Sequence, residues 1–79
     1  MSLRYTHHAE ERMREREITK DDVEDAVNRP YGAPEPGSRP DTIVVRGALV
    51  HPDGTRLKVI LDAAVGDRVV SAMWEDVTP

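Results

Sequence analysis

Three side chains near the start of the chain have types and a spacing that suit phosphate chemistry. His8, Arg12 and Arg16 follow one another at intervals of four residues, which in an α-helix places them in one stripe. Histidine titrates near neutral pH, whereas arginine is a permanent cation whose paired N–H groups match a phosphate. The stripe therefore predicts a site that binds a phosphate and moves a proton beside it.

Metal-free cleavage of RNA is a reaction that such a site can support. The attacking 2′-hydroxyl must lose a proton, the leaving oxygen must gain one, and the charge that develops on the phosphate must be stabilised. We predict His8, Arg12 and Arg16 as catalytic residues, with His8 as the acid or base. Arg46 and Lys58 are predicted to bind the substrate. The same stripe also fits a solvated, salt-bridged helix face without catalytic function.

Other chemistries have weaker support in the sequence. The chain contains no cysteine, which excludes disulfides and thiolate metal sites. His7 and His8 would point about 100° apart on a helix and His51 lies far along the chain, so no metal-ligand spacing is present. Hydrolase nucleophile motifs and phosphate-binding glycine loops are missing as well. We therefore predict neither a metal nor a cofactor.

The charge balance disfavours a nucleic-acid partner. Eleven Lys and Arg residues stand against fifteen Asp and Glu, which gives a formal net charge of −4 at pH 7. Proteins that bind nucleic acid usually carry an excess of basic residues, although a local basic patch can suffice. No stretch approaches the roughly 18 apolar residues of a membrane span, and residues 1–5 show no signal-peptide core. We expect a cytoplasmic protein without a membrane partner.

Two helices are predicted in the first third of the chain. Thr6 suits the N-cap of a helix that carries the stripe and runs to about Glu17. Thr19 and Asp22 resemble a capping box for a second helix, which Pro30 ends. The apolar side of the first helix is thin, so docking against the rest of the domain must supply much of its stability.

Three strands are predicted after a long loop. Residues 30–41 hold four of the six prolines and two of the five glycines, which predicts a loop without regular structure. The strands are expected at 42–50, 56–62 and 68–75, and residues 3–5 could add a short edge strand. A turn at 51–55 pairs His51 with Thr55 and joins the first two strands as a hairpin.

The hairpin register predicts which side chains face the core. Its inward pairs are Leu49–Leu57, Gly47–Val59 and Val45–Leu61, with Arg46, Arg56 and Lys58 on the opposite face. A two-residue turn at 65–66 would place Val70, Ala72 and Trp74 inward, with Val69, Ser71 and Met73 on the opposite face. The order of elements predicts an α+β domain over residues 1–79, with two N-terminal helices packed on a three- to four-stranded antiparallel sheet.

The pattern over most of the chain resembles domain of unknown function family 4258, which is grouped with the RelE/BrnT-like toxin fold. The residues that carry the resemblance are His8-Ala9, Arg12-Met13, Arg16, Ile18-Thr19, an acidic second helix and the strand from Val69 to Trp74. The resemblance implies helices on a curved antiparallel sheet, a relation to metal-independent ribonuclease toxins, and His8, Arg12 and Arg16 as motif residues. Glu17 departs from the family, which commonly has glycine there.

Together these features predict a metal-independent ribonuclease of the toxin–antitoxin type, active or degenerate. The alternative is a non-catalytic module whose stripe and loop 30–41 bind a protein, such as an antitoxin-like chain or a second copy. The small core of a 79-residue chain and the acidic second helix favour this alternative. In a third interpretation, Arg12 and Arg16 only bridge the first helix to acidic residues of the second helix or the sheet.

Overall fold

The computed structural model describes residues 3–77, which form two helices and one five-stranded sheet. In chain order the elements are β1 (Arg4–Tyr5), α1 (His7–Glu15), α2 (Lys20–Asn28), β2 (Glu35–Pro36), β3 (Thr42–Val50), β4 (Thr55–Asp62) and β5 (Arg68–Asp76). The α+β class with two N-terminal helices is confirmed. The ends of the predicted domain, residues 1–2 and 78–79, lie outside the described residues.

The sheet is mixed and has five strands rather than the predicted three or four. Its order is β1-β5-β4-β3-β2. The meander β3-β4-β5 is antiparallel as predicted, but β1 runs parallel to β5, with Tyr5 opposite Val69. Because a long stretch of chain separates β1 from β5, no tight turn imposes antiparallel pairing on them.

The fifth strand lies within residues 30–41, where the sequence predicted no regular structure. Glu35 and Pro36 form β2 and pair with Val44 and Ile43 of β3. Proline is tolerated in β2 because this is an edge strand, whose outward side needs no N–H donor. The prediction of an irregular loop is therefore wrong at these two residues.

Both helix starts have the predicted caps, and the end of α1 explains an unusual residue. Thr6 accepts a hydrogen bond from the Ala9 amide, and Thr19 with Asp22 forms a reciprocal capping box. Helix α1 ends at Glu15, and Glu17 then adopts a left-handed φ of 55°. The Ile18 amide donates back to the Met13 carbonyl at 2.8 Å, which is the closing bond of a Schellman motif. Glycine takes this conformation at lower cost than glutamate.

Both helices pack on one face of the sheet and enclose a small apolar core. Neither described helix is long and apolar enough to span a membrane. The residues buried in this core are Ala9, Met13, Ile18, Val23, Ala26, Val45, Leu57, Val59, Leu61, Val69 and Ala72. Half-buried Trp74 extends the core and donates its indole N–H to the Arg16 carbonyl at 2.9 Å. This face of the sheet is therefore closed by the helices.

A bulge between Arg46 and Val50 corrects the predicted β3–β4 register. Val50 pairs with Arg56 as the turn requires, but Arg46 pairs with Lys58, so the register shifts by two residues. Val45 and Ile43 consequently pair with Val59 and Leu61, and the predicted Gly47–Val59 and Val45–Leu61 pairs are wrong. A register shift of two residues keeps the predicted inward side chains on the core face. Leu49 is the exception, because its side chain is 56% exposed.

The end of α2 accounts for the bulge in β3. The Ala48 amide donates to the Arg29 carbonyl at 2.8 Å instead of pairing with β4. A Cβ atom on Gly47 would lie 2.9 Å from the Ala26 Cβ, so only glycine lets the strand approach the helix this closely. These contacts join residues distant in sequence, so the hairpin pattern did not predict them.

A second bulge, in β5, reverses the faces on which Val69 and Val70 lie relative to the prediction. Leu61 pairs with Val69 and Ile60 pairs with Ser71, which leaves Val70 without an opposite residue. Val69 is fully buried in the core and Val70 lies on the other face, the reverse of the prediction. Ala72 is buried and Trp74 packs against the core, as predicted.

Candidate functional site

The face of the sheet that the helices leave uncovered carries an open cleft of about 500 Å³. Apolar side chains from three strands, Val44, Ile60 and Val70, contribute to its lining. Four basic side chains also line it, His8, Arg39, Arg46 and Lys58, together with the Glu35 carboxylate. We call this the first cleft. Its combination of apolar surface and several cations suits a ligand with both an anionic and an apolar part.

The sheet register explains why two of these cations are neighbours. Arg46 of β3 lies opposite Lys58 of β4, and Lys58 lies opposite Met73 of β5. Directly opposite residues in an antiparallel pair point to the same face, so these three form one row across the sheet. Val44, Ile60 and Ser71 form the next row. The predicted substrate-binding pair, Arg46 and Lys58, is thus brought together.

His8 reaches the first cleft because α1 lies along β5. The Thr6 amide, just before the helix, donates to the Val69 carbonyl at 3.2 Å. At the other end of the helix, Arg16 Nη1 donates to the Ala72 carbonyl at 2.8 Å. These two contacts fix both ends of α1 on the strand, and His8 in its first turn lines the cleft beside Val70.

Arg12 and Arg16 do not line the first cleft. Arg12 pairs with the Glu15 carboxylate at 3.0 Å on its own helix. Arg16 attaches the C-terminal end of α1 to β5 through its side chain, while its carbonyl accepts the indole N–H of Trp74. Arg16 therefore bridges helix and sheet, as the third interpretation required, but through a backbone carbonyl rather than a carboxylate.

Two carboxylates hold Arg46 within the first cleft. Its Nε donates to Glu75 Oε1 at 2.7 Å, and its Nη1 contacts Glu35 of β2. The hydrogen bond to Glu75 is the main reason that the pKa of Arg46 is raised. The same bond lowers the pKa of Glu75, so the pair stays ionised. Arg46 therefore connects β2 to β5, and its charge is already compensated.

Lys58 and Arg39 are the cations available to a ligand. Within residues 3–77 neither of them forms a salt bridge. Lys58 lies beside Arg46 on the floor of the first cleft, whereas Arg39 approaches from the segment that follows β2. Lys58 also helps to lower the pKa of Glu75, so its charge acts on that carboxylate as well. The convergence of Lys58 and Arg39 with His8 on one cleft favours an anionic ligand.

Sequence reasoning missed Arg39 and had only partial information on Ser71. Arg39 lies in the proline-rich segment, whose path over the sheet depends on the β2 pairing and gives no local signal. Ser71 was predicted to face away from the core by strand alternation, and it does line the first cleft. No group of three or more His, Asp or Glu side chains in the described part of the chain is placed to hold a metal ion.

A second cleft of about 690 Å³ adjoins the first, with Arg46 and Glu35 lining both. The guanidinium of Arg56 lies over the ring of Tyr31, 4.1 Å from its centroid. The Tyr31 amide donates to the Arg46 carbonyl at 2.7 Å, which holds the backbone of this residue against β3. This second cleft therefore contains an aromatic ring that is fixed on the protein.

Comparison with known proteins assigns the chain to a family. Residues 5–76 match the model of the family described as Domain of unknown function (DUF4258). No curated protein and no solved structure matches the chain. Because the family match covers nearly the whole sequence, the chain belongs to the Domain of unknown function (DUF4258) family.

Proposed function

We propose that the chain is a metal-independent ribonuclease of the toxin–antitoxin type, with a RelE/BrnT-like fold and its site in the first cleft. The observation that supports this proposal is the convergence of His8, Lys58 and Arg39 on one open cleft. Helix α1, strand β4 and the segment after β2 supply these side chains. They are the groups that acid–base catalysis on a phosphodiester requires: one imidazole and two cations without salt bridges.

The proposed reaction is attack of a ribose 2′-hydroxyl on the adjacent phosphate. Neutral His8 takes the hydroxyl proton as the 2′-oxygen bonds to phosphorus and the bond to the 5′-oxygen breaks. The ammonium group of Lys58 donates a proton to the leaving 5′-oxygen. Arg39 stabilises the charge on the non-bridging oxygens. The products are a 2′,3′-cyclic phosphate and a 5′-hydroxyl, and no metal takes part.

Arg12 and Arg16 have positioning functions in this proposal. Arg16 fixes the C-terminal end of α1 to β5, and Arg12 pairs with Glu15 on that helix. Both stabilise the helix that presents His8 to the cleft. The acidic net charge is compatible with RNA binding because four basic side chains, His8, Arg39, Arg46 and Lys58, line one cleft.

Cleavage of a mixed RNA by the purified protein in EDTA tests the proposal. His8→Ala should lower the cleavage rate by about 100-fold or more, the range expected for loss of an acid–base group. His7→Ala is the matched control, because His7 is the adjacent exposed histidine and does not line the first cleft. Equal rates for the wild type and His8→Ala would refute the assignment.

The alternative of a protein-interaction module has its own observation. Leu49 and Val50, at the end of β3, are large apolar residues that are 56% and 44% exposed. A second copy of the chain, or another protein, could cover them. Sedimentation equilibrium tests the first case: self-association through this patch should weaken in Leu49→Ser. A wild-type chain that stays monomeric at all concentrations would exclude a homo-oligomer.

A further inference from the structure

We propose that the second cleft is a nucleobase-stacking subsite, in which Tyr31 binds the base next to the phosphate held in the first cleft. This inference rests on the proposed function and specifies its substrate as single-stranded RNA. Its basis is the geometry of Tyr31 and Arg56, together with the continuity of the two clefts.

Tyr31 is built as a platform rather than as a core residue. It is 60% exposed, the largest exposed fraction among the large hydrophobic residues of the described chain. The Arg56 guanidinium lies against the ring, and the backbone of Tyr31 is held by its hydrogen bond to Arg46. An exposed ring that already packs against Arg56 loses less conformational entropy when a base stacks on it than a ring without such a contact. Unpaired RNA bases stack on such aromatic rings and on arginine planes.

The two clefts are placed so that one strand of RNA can occupy both. Lys58 lines the first cleft and Arg56 lines the second, and both come from β4. Two residues along a strand span about 7 Å, and their side chains point to the same face. Arg46 lies on that face too and lines both clefts. A nucleotide strand that follows β4 therefore passes from the phosphate site to the Tyr31 ring.

The charge around the second cleft favours a base over a second phosphate. Three carboxylates line it, Glu35, Glu75 and Asp76, against the two guanidinium groups of Arg46 and Arg56. Arg46 is paired with two of the three carboxylates, Glu35 and Glu75. This excess of one negative charge repels an anion and does not repel a neutral base.

Binding of a short oligonucleotide that cannot be cleaved tests the subsite separately from catalysis. The probe is a fluorescent 2′-O-methyl tetrauridylate, in which the attacking hydroxyl is blocked. The comparison set removes one base at each of the four positions in turn. Tyr31→Ala should lower the affinity for the intact probe by about tenfold, as expected for the loss of one stacking contact. It should leave unchanged the abasic probe that already lacks the stacked base.

Two control variants keep the result interpretable. Tyr31→Phe should retain binding because the ring remains, and Leu49→Ala removes an exposed apolar side chain that lines neither cleft. Neither Tyr31→Ala nor Leu49→Ala should change the melting temperature appreciably, since both side chains are exposed.

The outcomes separate this inference from the proposed catalysis. If Tyr31→Ala lowers the affinity for the intact probe and for every abasic probe equally, or lowers none of these affinities, the proposed subsite is contradicted. A wild-type chain that binds no probe overturns it as well. If the selective loss occurs but the wild type cleaves no RNA, the subsite stands and the ribonuclease proposal fails.

Discussion

Successive side chains of each strand point alternately to the helix-covered face and to the open face of the sheet. Two neighbouring residues of β4 show how differently the two faces are used. Leu57 is almost fully buried under the helices, whereas Lys58 lines the first cleft and forms no salt bridge within residues 3–77. One face therefore holds the strands together, while the other arranges cations around an open volume. The contrast implies that stability and ligand binding can be altered separately at adjacent positions.

The largest expected effect compares those two neighbours. Leu57→Ala should lower the free energy of unfolding by about 3 kcal/mol, because it removes a buried side chain and leaves a cavity. Lys58→Ala should change it by less than about 0.5 kcal/mol and should instead abolish most RNA cleavage. Urea denaturation and the cleavage assay measure the two effects. If both variants lose stability equally, the two faces are not independent.

The next effect tests the close approach of α2 to β3. Gly47→Ala should destabilise the fold by about 2 kcal/mol, because its Cβ would press on Ala26 and the helix would have to shift. Gly66→Ala is the control, since nothing lies within 4 Å of a Cβ at that position. Thermal melts compare them. Equal stabilities of the two variants would mean that the β3 bulge does not depend on this contact.

A gain in stability is expected at the end of α1. Glu17→Gly should raise the free energy of unfolding by about 1 kcal/mol, because the left-handed conformation costs a side-chain-bearing residue roughly that amount. Glu11→Gly, in the middle of α1, should lower it by about 1 kcal/mol. A Glu17→Gly variant that is less stable than wild type would show that the Glu17 side chain makes a compensating contact.

The smallest effect concerns the Arg46–Glu75 pair at the border of the two clefts. This bond lowers the pKa of Glu75 in the folded state. The contribution of the bond to the free energy of unfolding is therefore complete above the pKa that Glu75 has in the unfolded state. It is lost as the pH falls through the lower folded-state pKa. Glu75→Gln should cost about 0.5 kcal/mol at neutral pH and flatten the acid side of the stability profile.

The profile of Glu75→Gln needs a control with the same chemical change elsewhere. Glu11→Gln, on the exposed side of α1, should leave the profile as it is in the wild type. Denaturation curves at a series of acidic pH values make the comparison. An unchanged profile for Glu75→Gln would mean that the pair does not couple stability to pH.

Local signals predicted most of the helix-covered face. The Thr6 cap and the Thr19–Asp22 capping box indicated where the helices begin, and the turn after Val50 indicated the hairpin. Each of these signals depends only on residues a few positions apart in the sequence. The two bulges were not predictable in this way. They depend on the contact of α2 with Gly47 and on the exchange of two adjacent valines in β5, which the alternation of apolar residues cannot resolve.

The candidate site was predictable only in part, for the same reason. Strand alternation put Arg46 and Lys58 on one face, and the composition marked His8 as the titratable group. Whether α1 presents His8 or its arginines to that face depends on how the helix lies along β5, a tertiary relation. Arg39 reaches the first cleft only because β2 pairs with β3, and two residues of proline-rich sequence gave no sign of that pairing.

The most direct test of the account is whether His8 and Lys58 respond to one bound anion. NMR titration of the protein with the 2′-O-methyl tetrauridylate should shift the His8 ring resonances and leave those of the adjacent His7 nearly unchanged. Lys58→Ala should remove the His8 shift, because the phosphate would lose the cation on the floor of the first cleft and keep only Arg39. Equal shifts at both histidines, or a His8 shift that survives Lys58→Ala, would contradict a shared site.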